Sequence, residues 1–178
     1  MNYRTMSHGF FVLLLFMGLT VSFVQAGQYN RLTSDMNATL EGIKTIYVRV
    51  APIDADLAQQ ELSQAKILEN TNRQGERSGI KLLSEAEYDR LRIVRNYPLG
   101  QLEVTVAFKR AGEIEAKIYS VHVRMRQAVF LSRKPVIKVF APTWEESTIG
   151  YTRDWRVIQA GVEDAVGKFI DAFRSVNP

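Results

Sequence analysis

The sequence predicts an α+β fold of two layers: a mixed, largely antiparallel sheet with two main helices on one face. Residues 101–110 place Leu102, Val104, Val106 and Phe108 at every second position, and Tyr119, Val121, Val123 and Met125 repeat that spacing downstream. Period two marks a strand with one buried face. The closing segment, from about Arg153 to Val176, carries Ile158, Val162, Ala165, Val166, Phe169, Phe173 and Val176 on one broad helical stripe, and such a stripe needs an apolar layer to cover. Strand, helix and strand signals lie ahead of both. The order β-α-β-(α)-β-β-β-α therefore puts helices against one side of a sheet.

Each element has its own local reason. Thr45-Ile46-Tyr47-Val48-Arg49-Val50 alternates and is β-branched and aromatic, so Ile46, Val48 and Val50 face the core and Arg49 the other side. Pro52 stops this strand, and Asp54 or Asp56 caps a helix running through Leu57, Leu62, Ala65 and Leu68, weakened late by Asn70, Asn72 and Gly75. Gly79 allows a sharp connection into a short strand, Ile80-Lys81-Leu82-Leu83. Ser84-Glu85-Ala86-Glu87 has capping-box spacing, which starts a short helix to about Arg92. Pro98 and Gly100 punctuate the chain before the strand 101–110, and Ala111-Gly112-Glu113 turns it back. The return strand sets Tyr119, Val121, Val123, Met125 and Val129 on one face and Ser120, His122, Arg124 and Arg126 on the other. A turn at Ser132-Arg133-Lys134-Pro135 leads to a strand from Val136 to Ala141, extending toward Trp144.

The front of the chain has the pattern of a targeting segment. Arg4 precedes an apolar stretch from Phe10 to Phe23, and Val24-Gln25-Ala26 offers small residues for cleavage before Gly27. The stretch is shorter than the roughly 20 apolar residues that span a bilayer. The expected organisation is a signal peptide at 1–26, a flexible lead-in at 27–41 and a single α+β domain at 42–178. The expected location is periplasmic; secretion or an uncleaved N-terminal anchor are the alternatives.

Composition closes off several chemistries. The 178 residues include no cysteine, which excludes a disulfide scaffold, a thiol nucleophile and a covalent c-type haem. Behind the leader only His122 is left as an imidazole, with Ser120 two positions away and no Gly-x-Ser-x-Gly elbow. No catalytic residue, metal site or cofactor is expected. Asp54-Ala55-Asp56 lacks the further ligands and glycine of a calcium loop. Glu113 with Glu115, and Glu145 with Glu146, place carboxylates close together as glycoside hydrolysis requires, but hairpin and loop acids are usually solvated, and Gly75 to Gly79 lacks a phosphate-loop ending.

Charge is uneven. Residues 27–178 carry a net +3, whereas 101–142 alone carry eight bases and three acids. Strand parity puts Arg124, Arg126 and Lys138 with His122 and Arg49 on the face away from the helices, a basic surface suited to an anionic partner. No aromatic row interleaves with these bases, so nucleic acid is not an expected partner. A second candidate is the polar stretch between Trp144 and Trp155, read as a loop containing Tyr151, where bounding aromatics suit a groove.

Several phrases, Gly79-Ile80-Lys81-Leu82-Leu83, Arg126-Gln127-Ala128-Val129-Phe130-Leu131, Thr143-Trp144 before Gly150, Phe169-Ile170-Asp171-Ala172-Phe173 and the closing Val176-Asn177-Pro178, together resemble a group of small exported bacterial proteins with a signal peptide and a compact α/β body. The resemblance spans most of 43–178 and departs at Asn72 and Gly75, where that group would continue a helix. It implies no activity and transfers no functional residue. The expected function is non-enzymatic: a periplasmic module that binds a partner protein or an anionic envelope component, of unknown oligomeric state. The alternative is a small-ligand or glycan-binding protein with weak hydrolase activity.

Overall fold

Five strands form one open sheet in the order β2-β1-β3-β4-β5. The strands are β1 (Thr45–Val50), β2 (Leu82–Leu83), β3 (Leu99–Arg110), β4 (Lys117–Leu131) and β5 (Lys134–Thr152). A computed structural model describes residues 33–53, 62–94, 97–110 and 116–178. The expected leader, the Asp54 and Asp56 caps, the Ala111-Gly112-Glu113 turn and the Glu113/Glu115 pair lie outside the described residues. β1 runs parallel to β2 and β3, while β3, β4 and β5 are antiparallel, so the sheet is mixed, as the sequence predicts.

Two helices, α1 (Gln64–Arg77) and α3 (Trp155–Val176), pack on the first face of this sheet. Between them in the chain stands the short helix α2 (Glu85–Leu91). The core is the expected alternating set: Ile46, Val48, Val104, Val121, Val123 and Met125 are buried against Ile158, Val162, Val166 and Phe169. Trp144 meets Phe169 edge-on at 5.3 Å, and its indole Nε1 donates to Asn37 Oδ1 at 3.1 Å. Leu40 is fully buried. The packed body therefore takes in residues ahead of the boundary expected at 42, and residues 33–38 are helical. Residues 37–178 cluster as one compact unit.

Helix α1 differs from its sequence expectation in face and in length. Ser63 caps it, its hydroxyl accepting from Lys66 N at 3.2 Å, and this start turns Ile67, Thr71 and Gly75 inward instead of Ala65 and Leu68. The helix runs on through Asn70, Asn72 and Gly75 to Arg77, and a Cβ on Gly75 would stand only 3.3 Å from the Leu82 side chain. The bare glycine lets the helix lie close on β2. Gly79, with φ of +78°, makes the sharp exit that the sequence predicts.

The strand-five expectation is corrected most. Where a loop was expected from 145 to 154, β5 continues unbroken to Thr152. Its lower half inverts the usual pattern: Glu146, Thr148, Gly150 and Thr152 share the parity of buried Trp144, while Ile149 and Tyr151 face solvent. Gly150 is required here, since a Cβ would sit 2.5 Å from the Tyr119 ring.

Candidate functional site

The second face of the sheet carries the candidate surface, and its charge is organised by strand register. Arg49 on β1 pairs in register with Glu103 on β3, Glu103 with Arg124 on β4, and Arg124 with Glu145 on β5. The result is a row of alternating sign across four strands. Arg49 Nη1 lies 3.7 Å from Glu103 Oε1, and Arg124 Nε lies 3.3 Å from Glu145 Oε2. Opposite charges on facing strands stabilise this arrangement. Arg49 and Arg124 share the expected face, but both are neutralised within it. His122 sits between Thr105 and Ser147 in register, and among the described residues no side-chain hydrogen bond joins it to Ser120 or to an acid.

The carboxylate pair Glu145/Glu146 is also resolved by parity. Glu145 turns to Arg124 on the second face, whereas Glu146 accepts from Lys168 Nζ at 2.8 Å on the helix side. Adjacent strand residues point to opposite faces, so the two carboxylates cannot share a substrate. Asp164 lies 3.2 Å from the same Lys168 Nζ, and hydrogen bonds from the lysine to both carboxylates raise its pKa.

Above this row the surface changes character. The capping box expected at Ser84 forms: the Ser84 hydroxyl accepts from Glu87 N at 3.3 Å, and the Glu87 carboxylate accepts from Ser84 N at 2.9 Å. These bonds hold Glu87 below the usual glutamate pKa. The cap starts α2, which docks on the second face through Tyr88. That ring stacks on Tyr47 with centroids 4.5 Å apart, and its hydroxyl donates to Gln101 Oε1 at 3.0 Å. Burial raises the pKa of both tyrosines, with nearby Glu85 adding to the effect at Tyr47 and Arg92 opposing it at Tyr88.

Opposite α2, β4 and β5 run past the start of β3. The β3 pairing begins at Gly100 with Gln127, so residues 128–131 and 134–140 form a two-stranded arm. A register shift between Met125 and Arg126 sets it off from the sheet below. Between the arm and α2 with its following segment lies a groove of about 560 Å³, bordered by Tyr88, Ile93, Tyr97, Ala128, Lys138 and Phe140. The Arg126 guanidinium sits 5.2 Å from the centroid of the Phe140 ring. Apolar exposure is high here: Val136 is 92% exposed, Ile93 81% and Phe130 50%.

The expected site residues thus separate. Arg126 and Lys138 belong to this groove and arm. Trp144 is a buried anchor, Trp155 opens α3 half-buried with Lys66 and Arg156 near its ring, and Tyr151 stands exposed at the far end of the face beside its register partner Ile118. The aromatic-bounded loop is therefore not a groove. Tyr88, Ile93, Tyr97, Phe130 and Phe140 were missed, although Ile137, Val139 and Phe140 place apolar residues on both strand parities where no helix was left to cover them.

Among the described residues no helix is long and apolar enough to cross a membrane, and no His/Asp/Glu cluster is suited to a metal ion. No protein-family model, curated protein or solved structure matches the chain.

Proposed function

We propose that the protein is a non-enzymatic binding module of the cell envelope. It engages its partner at the upper end of the second sheet face, through the groove and the arm beside it. The observation that carries this is the density of exposed apolar surface: Phe130, Val136, Ile137, Val139 and Phe140 stand exposed together on the arm, beside Ile93 and Val94 after α2, whereas the far end of the same face exposes the smaller set Ile118, Ile149 and Tyr151. Clustered exposed apolar surface rimmed by charge is the mark of an interaction site. The export pattern of the first 26 residues supports a periplasmic location, as does the resemblance to small exported proteins.

The test is photo-cross-linking in intact cells, with a benzophenone amino acid at Phe140 and, separately, at Tyr151, followed by mass spectrometry. Discrete adducts from position 140 and none from 151 are expected. Adducts from 151 alone, or from neither, overturn the proposal.

A second reading has its own observation. Tyr88, Tyr97 and Phe140 line one groove, and aromatic rings are platforms for sugar and other small ligands. Saturable quenching of tyrosine fluorescence by a glycan, abolished in Tyr97→Ala, would favour that reading over a macromolecular partner.

A further inference from the structure

We infer that the β4–β5 arm docks on an anionic phospholipid surface. The inference rests on the binding role proposed for this end of the molecule and names the partner. The first ground is that neither face of the arm is covered. Every residue from 132 to 140 is exposed, and consecutive strand residues point to opposite sides. Phe130, Lys138 and Phe140 share the groove side, while Ile137 has the other parity, as does Val139, which also borders the groove. A ligand lying in the groove covers one side only. A lipid headgroup layer into which the arm dips covers both.

The second ground is charge. Residues 126–142 contain Arg126, Arg133, Lys134 and Lys138 and no acid, and among the described residues none of these four forms an ion pair. The Arg49–Glu103–Arg124–Glu145 row one step below is matched charge for charge. Anionic headgroups supply the missing counter-charge, and long basic side chains reach them while their stems lie on apolar surface. A second copy does not: pairing two β5 edges along the arm brings four bases against four. The open strand edge limits the depth, because unpaired backbone groups keep their hydration among headgroups but not in hydrocarbon.

Because the chain has no cysteine, Val136→Cys gives a unique attachment point for an environment-sensitive fluorophore, and Glu163→Cys on α3 gives a control. Vesicles of phosphatidylcholine with phosphatidylglycerol should blue-shift the label at 136 and leave that at 163 unchanged, while pure phosphatidylcholine should do little to either. Replacing Arg133 and Lys134 together by alanine should lower partition into the mixed vesicles by about 30-fold, taking about 1 kcal/mol per basic residue at such a surface. Circular dichroism of that variant should match the parent. No shift at 136, equal shifts with neutral lipid, or a concentration-dependent shift without lipid each overturn the inference, the last by assigning the arm to a second copy. If vesicles have no effect while position 140 still cross-links to a discrete protein in cells, the lipid assignment fails and the binding role stands.

Discussion

Below the register shift at Met125/Arg126, the β4–β5 pair is covered on one face by α3; above it the same two strands run on with both faces bare. In the lower half, Val121, Val123 and Met125 are buried under α3, and on the second face each arginine meets a carboxylate on the next strand. In the upper half, apolar side chains are exposed on both parities and the bases have no acid among them. The difference teaches that these halves answer to different demands. On the second face of the lower half the arginines are paired within the fold, although Ile118, Ile149 and Tyr151 stand exposed at its far end, whereas the upper half leaves both its bases and its apolar residues unmatched among the described residues.

The largest effect should separate the halves by stability. Phe169→Ala opens the core where α3 meets Trp144 and is expected to cost about 3–5 kcal/mol, whereas Phe140→Ala on the arm should change stability by less than about 0.5 kcal/mol. Urea denaturation of both variants checks this, and comparable losses would erase the contrast. Next comes Gly150→Val. Its side chain must displace the Tyr119 ring, which stands 2.5 Å from the Cβ position, so thermal unfolding should show a loss of about 1–3 kcal/mol. Valine in an ordinary strand position would cost nothing.

A smaller effect tests the helix that walls the groove. Ser84→Ala should cost about 1 kcal/mol by removing the α2 cap. The same cap predicts an acid dependence. Because Glu87 has a lowered pKa in the folded chain, its contribution is full above the ordinary glutamate value and is lost as pH falls through the folded one. Acid titration of unfolding should therefore show a stability loss in the parent that is diminished in Ser84→Ala; identical slopes would mean that the capping box is not formed in solution. The smallest effect concerns the charge row. Arg124→Ala breaks an exposed pair and should cost no more than about 1 kcal/mol, the loss shrinking with salt. Arg126→Ala, at a residue with no acid partner among the described residues, should show no such salt dependence.

The layer order was legible because its elements obey simple periods. Val104 to Phe108 and Tyr119 to Met125 alternate cleanly, and Ile158 to Phe173 hold a helical stripe. The lower half of β5 was not, since its hydropathy is inverted: a glycine sits under the Tyr119 ring, and Ile149 and Tyr151 face outward. Helix α1 was placed on the wrong face because Leu68 outranks Thr71 in hydropathy, while Ser63 and the close approach at Gly75 set the rotation. On the second face the bases and their parity are legible in the alternation of β4. The pairing of Arg49 and Arg124 depends on strand register across the sheet, which no local pattern encodes. The groove depends further on the stacking of Tyr88 on Tyr47, two residues about 40 positions apart in the chain.

Hydroxyl-radical footprinting tests the division most directly, comparing purified protein with protein in its native envelope fraction. Protection is expected at Tyr97, Phe130 and Phe140, with Tyr151 and Ile149 equally reactive in both states. Protection at Tyr151 and Ile149 with the arm unchanged would contradict the account and move the binding surface to the opposite end of the sheet.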